Sequence, residues 1–177
     1  MGLKHARDRL CMVQLCDENG EIHLVHFTEK EYLKAHNLIE LLSSKRTFIF
    51  HFARFDVAVI HKYLNVLVED IFCTKIASKL VRTYTDSHGL KDLCRELLNI
   101  NLSKQQQSSY WGDSQVSKDQ LNYAAGDVLY LHKLKESLTR MLIREGRLEL
   151  STKCFEFIPV RSILDISGWE DIDIFAH

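Results

Sequence analysis

Proline occurs once and glycine seven times in 177 residues. That is too little for a loop-rich or collagenous chain, and it favours long helices with short connections. No apolar run approaches the roughly 20 residues that a membrane helix needs, so the sequence reads as a soluble protein with no membrane partner. Neither sign of charge is in excess: 23 Lys and Arg face 24 Asp and Glu, a net charge of −1. Coating a long nucleic acid rests on counterion release by many cations. The balance argues against that and leaves room for a pocket that takes a short one. The five cysteines (Cys11, Cys16, Cys73, Cys94, Cys154) contain no C-x-x-C pair, and are expected as reduced, mostly buried thiols of a cytoplasmic protein. A P-loop, G-x-G-x-x-G, G-x-S-x-G and H-E-x-x-H are all absent, and the nine histidines lack zinc-finger spacing. The commonest phosphate-cradle, dinucleotide, serine-hydrolase and zinc-protease readings fall with them.

What is present is globular composition, 46% hydrophobic and 27% charged. The length suits one domain over 1–177, able to bury roughly 70% of its unfolded surface without disulfides. Residues 10–16 and 21–27 are apolar-rich runs separated by Asp17-Glu18-Asn19-Gly20, and Asn-Gly is the strongest short hairpin signal. Helical spacing marks 36–43, and 47–51 reads as a buried strand. Val57, Ile60 and Leu64 share one face of a helix over 54–65. A short strand near 69–72 leads into a helix over 73–82, and Leu90, Leu93, Leu97 and Leu98 mark the next. Ser117 and Gln120 have capping-box form, with an apolar stripe behind them at Leu121, Ala125, Val128, Leu131 and Leu134. The aromatic residues of 151–177 predict a packed tail. Strands gather early and helices then dominate, so the fold class is α/β.

Two carboxylates sit in suggestive places. Asp56 follows the strand in His51-Phe52-Ala53-Arg54-Phe55-Asp56. A carboxylate at a strand-to-helix junction can face a cleft and hold a hard cation. Taken alone, it reads first as a common first-turn acid favoured by the helix dipole. In Tyr123-Ala124-Ala125-Gly126-Asp127 the phenol and the carboxylate are four apart and share a helix face, and the small residues between them leave that face open. The pattern suits a metal-holding Asp127 beside a water-orienting Tyr123, though many ordinary helices carry the same pair. Lys75, Lys79 and Arg82 recur at helical spacing, followed by Tyr84, His88 and Lys91. They form either a phosphate- and base-contacting face or a solvated one.

The four motifs His51–Asp56, Phe72–Ala77, Ser87–Lys91 and Tyr123–Asp127, in this order, resemble ribonuclease D. This family belongs to the 3′–5′ exonucleases named for four acids and a tyrosine. The Arg7-Asp8-Arg9-Leu10-Cys11 start, the Lys104–Ser109 stretch and the Asp171–Phe175 ending resemble its small bacterial nano-RNase C branch. The resemblance implies a ribonuclease-H-like mixed sheet flanked by helices. It assigns the third and fourth metal-binding acids to Asp56 and Asp127 and the water-orienting tyrosine to Tyr123. His51, Arg54, Lys75, Lys79, Arg82, Tyr84 and His88 become candidate substrate contacts. It further implies two divalent ions, Mg²⁺ or Mn²⁺, stepwise release of 5′-monophosphates from the 3′ end of short RNA, and a ring-shaped homo-oligomer.

The sequence departs from the family in two places. Tyr110 stands in Ser109-Tyr110-Trp111 where the family usually has aspartate. The family's Asp-x-Glu pair, on its first and central strand, precedes the segment matching Gly2-Leu3. The sequence starts after that point, so the first strand and half of the metal site are expected to be missing. The expectation is weak or no cleavage by the chain as it stands, with lower stability than a chain extended by about one strand and its lead-in. A binding or structural subunit without catalysis is the alternative.

Overall fold

The computed structural model describes residues 9–102, 111–112 and 115–176. Met1–Asp8, 103–110 and 113–114, and with them the Gly2-Leu3 match, the Arg7-Asp8 part of the start, the Lys104–Ser109 stretch and Tyr110, lie outside the described residues.

Asn19-Gly20 makes the expected turn. The Asp17 carboxylate accepts from the backbone N–H of Asn19 (3.0 Å) and Glu21 (2.7 Å), and Gly20 takes φ +86°, a conformation open to a residue without a Cβ. Strands β1 (Met12–Cys16) and β2 (Ile22–His26) therefore pair antiparallel, Met12 opposite His26 and Cys16 opposite Ile22. After helix α1 (His36–Leu42), strand β3 (Phe48–Phe50), helix α2 (Ala53–Leu64) and strand β4 (Ile71–Cys73) form a βαβ unit with β3 and β4 parallel. Among the described residues β1–β2 and β3–β4 are separate two-stranded ladders, so one edge of β1 and one of β3 has no ladder partner there. The buried strand anticipated at 47–51 is only half-buried over Phe48–Phe50, whereas β4 is buried at every residue.

Helices α3 (Thr74–Val81), α4 (Leu90–Leu98), α5 (Lys118–Leu129), α6 (Leu131–Arg144) and α7 (Leu148–Leu164) complete the fold. The architecture is mixed α/β, with small ladders flanked by helices. Ser117 and Gln120 form the complete capping box of α5. The stripe behind it is not continuous, because the helix breaks at Tyr130. Only Ala124 of α5 is buried and Leu121 is exposed, while α6 supplies Leu131, Leu134, Leu138 and Leu142 to the core. The lone proline, Pro159, lies buried within α7. The expected packing of 151–177 is met in part: Phe155 is buried, Phe175 meets the Phe157 ring (6.0 Å) and the tail beyond α7 is tied down through its backbone, but Trp169, Ile172, Ile174 and Phe175 keep much of their surface exposed. The five cysteines are free thiols, with Cys11, Cys73 and Cys94 buried. Among the described residues no helix is long and apolar enough to cross a membrane.

Arg82 was expected on a cationic surface stripe, and it is instead fully buried. Its guanidinium pairs with Glu96 and donates to Ser78 Oγ (3.1 Å) and the Ser87 carbonyl (2.6 Å), joining α3 to the loop before α4. Removing one partner of a buried pair costs about 3–5 kcal/mol, and the lower end applies because water can reach Glu96. Arg82→Ala should therefore lower the unfolding free energy by about 3 kcal/mol in urea denaturation. A loss below about 1 kcal/mol would show that the pair is dispensable.

Candidate active site

Asp56 lies in the first turn of α2, and the approach to that turn is unusual. Phe52, the residue before α2, sits in the left-handed region (φ 74°), with no side-chain cap for the helix. A bulky residue pays for this conformation in strain, which persists only where surroundings enforce it. Phe55 lies parallel to the Phe52 ring (centroids 6.5 Å, interplanar 2°), and Lys75 Nζ sits 4.3 Å from the Phe52 ring centre. The other two residues come from α5, which packs against β1 and β2. Four residues apart on one face, the Tyr123 phenol and the Asp127 carboxylate lie near enough to interact, and Trp111 packs against the Tyr123 ring (6.3 Å).

The carboxylates of Asp56 and Asp127 are close enough to sense each other. Burial, then the charge of Asp127, pushes Asp56 up to about 7. Burial also pushes Asp127 up to about 6, opposed by the neighbouring Tyr123 phenol. The Tyr123 phenol is driven up to about 12 by burial and by the neighbouring carboxylate, so it keeps its proton at neutral pH. Two half-buried acids facing each other gain when a cation replaces the retained proton. The donor set is all oxygen, which suits Mg²⁺ or Mn²⁺. Among the described residues no third His, Cys, Asp or Glu joins them. The open helix face expected between Tyr123 and Asp127 is found only in part. Ala124 is buried, whereas a Cβ added at Gly126 would meet nothing within 4 Å.

The remaining candidates divide into separate places. At the end of β3, His51 Nδ1 lies 2.9 Å from Thr74 Oγ1, whose hydroxyl donates to the Phe50 carbonyl (3.0 Å). His51 must therefore donate through Nδ1. Burial and the Lys75 charge pull it down to about 4, so the ring is neutral, with Nε2 unprotonated and without a partner among the described residues. Lys79 is exposed. Tyr84, Arg82 and His88 gather around Glu96 and Ser78: the Tyr84 hydroxyl bonds Glu96, and His88 Nδ1 lies 2.8 Å from Ser78 Oγ. The stripe of Lys75, Lys79 and Arg82 is thus no continuous surface. Arg54 turns to Asp165 and the Glu170 carbonyl. Sequence reasoning gave no sign of Asp165, Arg161 or Thr74 in these contacts, since the pairs join distant segments, and nothing in the sequence marked the conformation of Phe52.

Residues 1–143 match the family described as 3′–5′ exonuclease. Over 161 residues the chain is 29% identical to DNA polymerase I of Aquifex aeolicus, covering 88% of this chain and 26% of that protein. It is 28% identical to ribonuclease D of Nitrobacter hamburgensis over 163 residues, covering 86% of this chain and 42% of that one. The chain thus spans less than half the length of these relatives. Brucella melitensis NrnC bound to pGG superposes with a TM-score of 0.95 at 50% identity, over 99% of this chain and 85% of that chain. The same protein with bound Mg²⁺ gives 0.94 and 49%, over 99% and 86%. Escherichia coli RNase D, at 22% identity and a TM-score of 0.73 over 94% and 46%, shares the fold.

The raised carboxyls give stability a pH dependence of known sign. Between the ordinary carboxylate value of 3.8 and about 7, folded Asp56 holds a proton that the unfolded chain has lost. Stability therefore falls as pH rises through this window. Asp127 acts alike up to about 6. His51 opposes both: its contribution is lost as pH falls from 6.5 to about 4. Asp56→Asn isolates one contribution. Without divalent ions it should melt above the unaltered chain at about pH 8, with the advantage vanishing near about pH 4. Thermal melts across pH check this, and a pH-independent difference would contradict it.

Proposed function

This chain belongs to the 3′–5′ exonuclease family, and on that premise we propose that it hydrolyses short oligoribonucleotides from the 3′ end, releasing 5′-monophosphates. The observation that carries the reading is the convergence of Asp56, Asp127 and the proton-bearing Tyr123 on one site. Short substrates are supported by the neighbour bound to pGG, and Mg²⁺ by the neighbour that holds it. Asp56 and Asp127 would hold the ion, which when bound lowers the pKa of water and steadies the leaving oxygen.

The chain's own residues do the rest. Tyr123, protonated at neutral pH, cannot serve as a base, so its hydroxyl orients the attacking water. The water oxygen forms a bond to phosphorus as the bond to the 3′ oxygen breaks. One proton leaves the water and one reaches the departing hydroxyl. His51, neutral with Nε2 unpartnered among the described residues, and Lys75 beside Phe52 are the candidates for contacts to nucleotide. Arg54, Arg82, Tyr84 and His88 are engaged within the protein. With two carboxylates among the described residues, turnover is expected to be slow, because a clamp on both attacking and leaving oxygens needs more ligands. The same reading includes self-association, supported by exposed Trp169, Ile172 and Phe175, and a cytoplasmic setting that keeps the five free thiols reduced.

The alternative, a nucleic-acid-binding or structural subunit without cleavage, draws on the same two-carboxylate site. Incubation with a 5′-phosphorylated diribonucleotide and Mg²⁺ or Mn²⁺ separates them. Mononucleotide release that falls at least about 100-fold in Asp127→Asn, and less in Tyr123→Phe, is expected. Binding without release would establish the alternative. Release unchanged by Asp127→Asn would overturn the site.

A further inference from the structure

The first turn of α2 has no cap of its own and starts from a strained residue, Phe52. What holds it comes from the other end of the chain. Arg54, two residues before Asp56, lays its guanidinium on Asp165 as a fork, Nε to Oδ2 at 2.5 Å and Nη2 to Oδ1 at 2.8 Å. Nη2 also donates to the Glu170 carbonyl (2.6 Å). The Ser162 hydroxyl donates to the Arg54 carbonyl (3.1 Å), and α7 packs along α2. The Asp165 side chain is completely buried. It is shared with Arg161 (2.9 Å), which in turn donates to the carbonyls of Trp169, Glu170 and Ile172. Gly168, at φ 103°, lets the chain reverse so that those carbonyls point back.

A fork on both oxygens of a buried carboxylate fixes orientation as well as position. The rest of the tail contributes little burial, since Trp169, Ile172 and Phe175 stay exposed. The segment is retained by its polar contacts to Arg54 and Arg161 more than by apolar packing. We propose that Asp165 is a positioning residue for the active site: through Arg54 it sets the first turn of α2 and so the place of Asp56, making the C-terminal segment a structural part of a site it does not line. This rests on the reading of Asp56 and Asp127 as the cation-holding pair.

Amide hydrogen exchange and Mn²⁺ binding followed by electron paramagnetic resonance test it in the whole chain. Asp165→Asn keeps the volume and one acceptor oxygen; Asp165→Ala removes both. Val81→Ala, a core truncation on α3, is the control for stability alone. Both Asp165 variants should speed exchange over 53–57 at least about tenfold and weaken Mn²⁺ binding by about tenfold, the Asn variant less than the Ala variant. Val81→Ala should lower the melting temperature without either effect. Mn²⁺ affinity unchanged in both Asp165 variants, or weakened equally in Val81→Ala, would overturn the proposal. If Asp165→Ala does not fold, Asp165→Asn decides alone. Mn²⁺ binding that survives Asp127→Asn would instead overturn the assignment of the cation pair, a separate failure.

Discussion

Two carboxylates that repel each other define this molecule. Asp56 comes from the βαβ unit and Asp127 from a helix laid against the hairpin, and folding brings both into partial burial where neither ionises easily. Bringing such groups together costs free energy, and the core built on Leu64, Leu93, Leu134, Leu138 and Leu142 offsets it. The protein thus holds a local instability that a divalent cation would relieve under the proposed reading, as expected where stability has been exchanged for a binding site.

Holding the two acids in place takes unequal means. On α5 the site is local: a capping box fixes the start, and Tyr123 and Asp127 meet through the helical repeat. On α2 it is not. The strained residue Phe52 begins the helix without a cap, and Arg54 reaches across to Asp165 near the C-terminus. His51 and Thr74 lock the strand end beside it, with the imidazole held neutral. Rigidity at the site is assembled from polar contacts between remote segments, the arrangement least visible in local sequence.

That asymmetry explains what the sequence disclosed. Asn19-Gly20 announced the hairpin, and Ser117 with Gln120 the start of α5, because turns and caps depend on residues within four positions. Asp56, Tyr123 and Asp127 could be named because ordered motifs carry them. The cationic stripe failed because helical spacing says which residues share a face and not whether that face meets water; Arg82 turned inward to Glu96. Leu121 failed for a related reason, since the helix break at Tyr130 ended the stripe it was assigned to. The contact of Arg54 with Asp165 spans 111 positions, and no periodicity reaches that far.

Carbon-13 NMR of the Asp56 and Asp127 side-chain carboxyls, titrated with and without Mg²⁺, examines the shared site itself. Without the ion, both should titrate above the ordinary carboxylate range and each should respond to the other's ionisation; with Mg²⁺, both should stay ionised well below it. Two independent titrations near the ordinary value, unmoved by Mg²⁺, would show that the carboxylates do not form a common cation site.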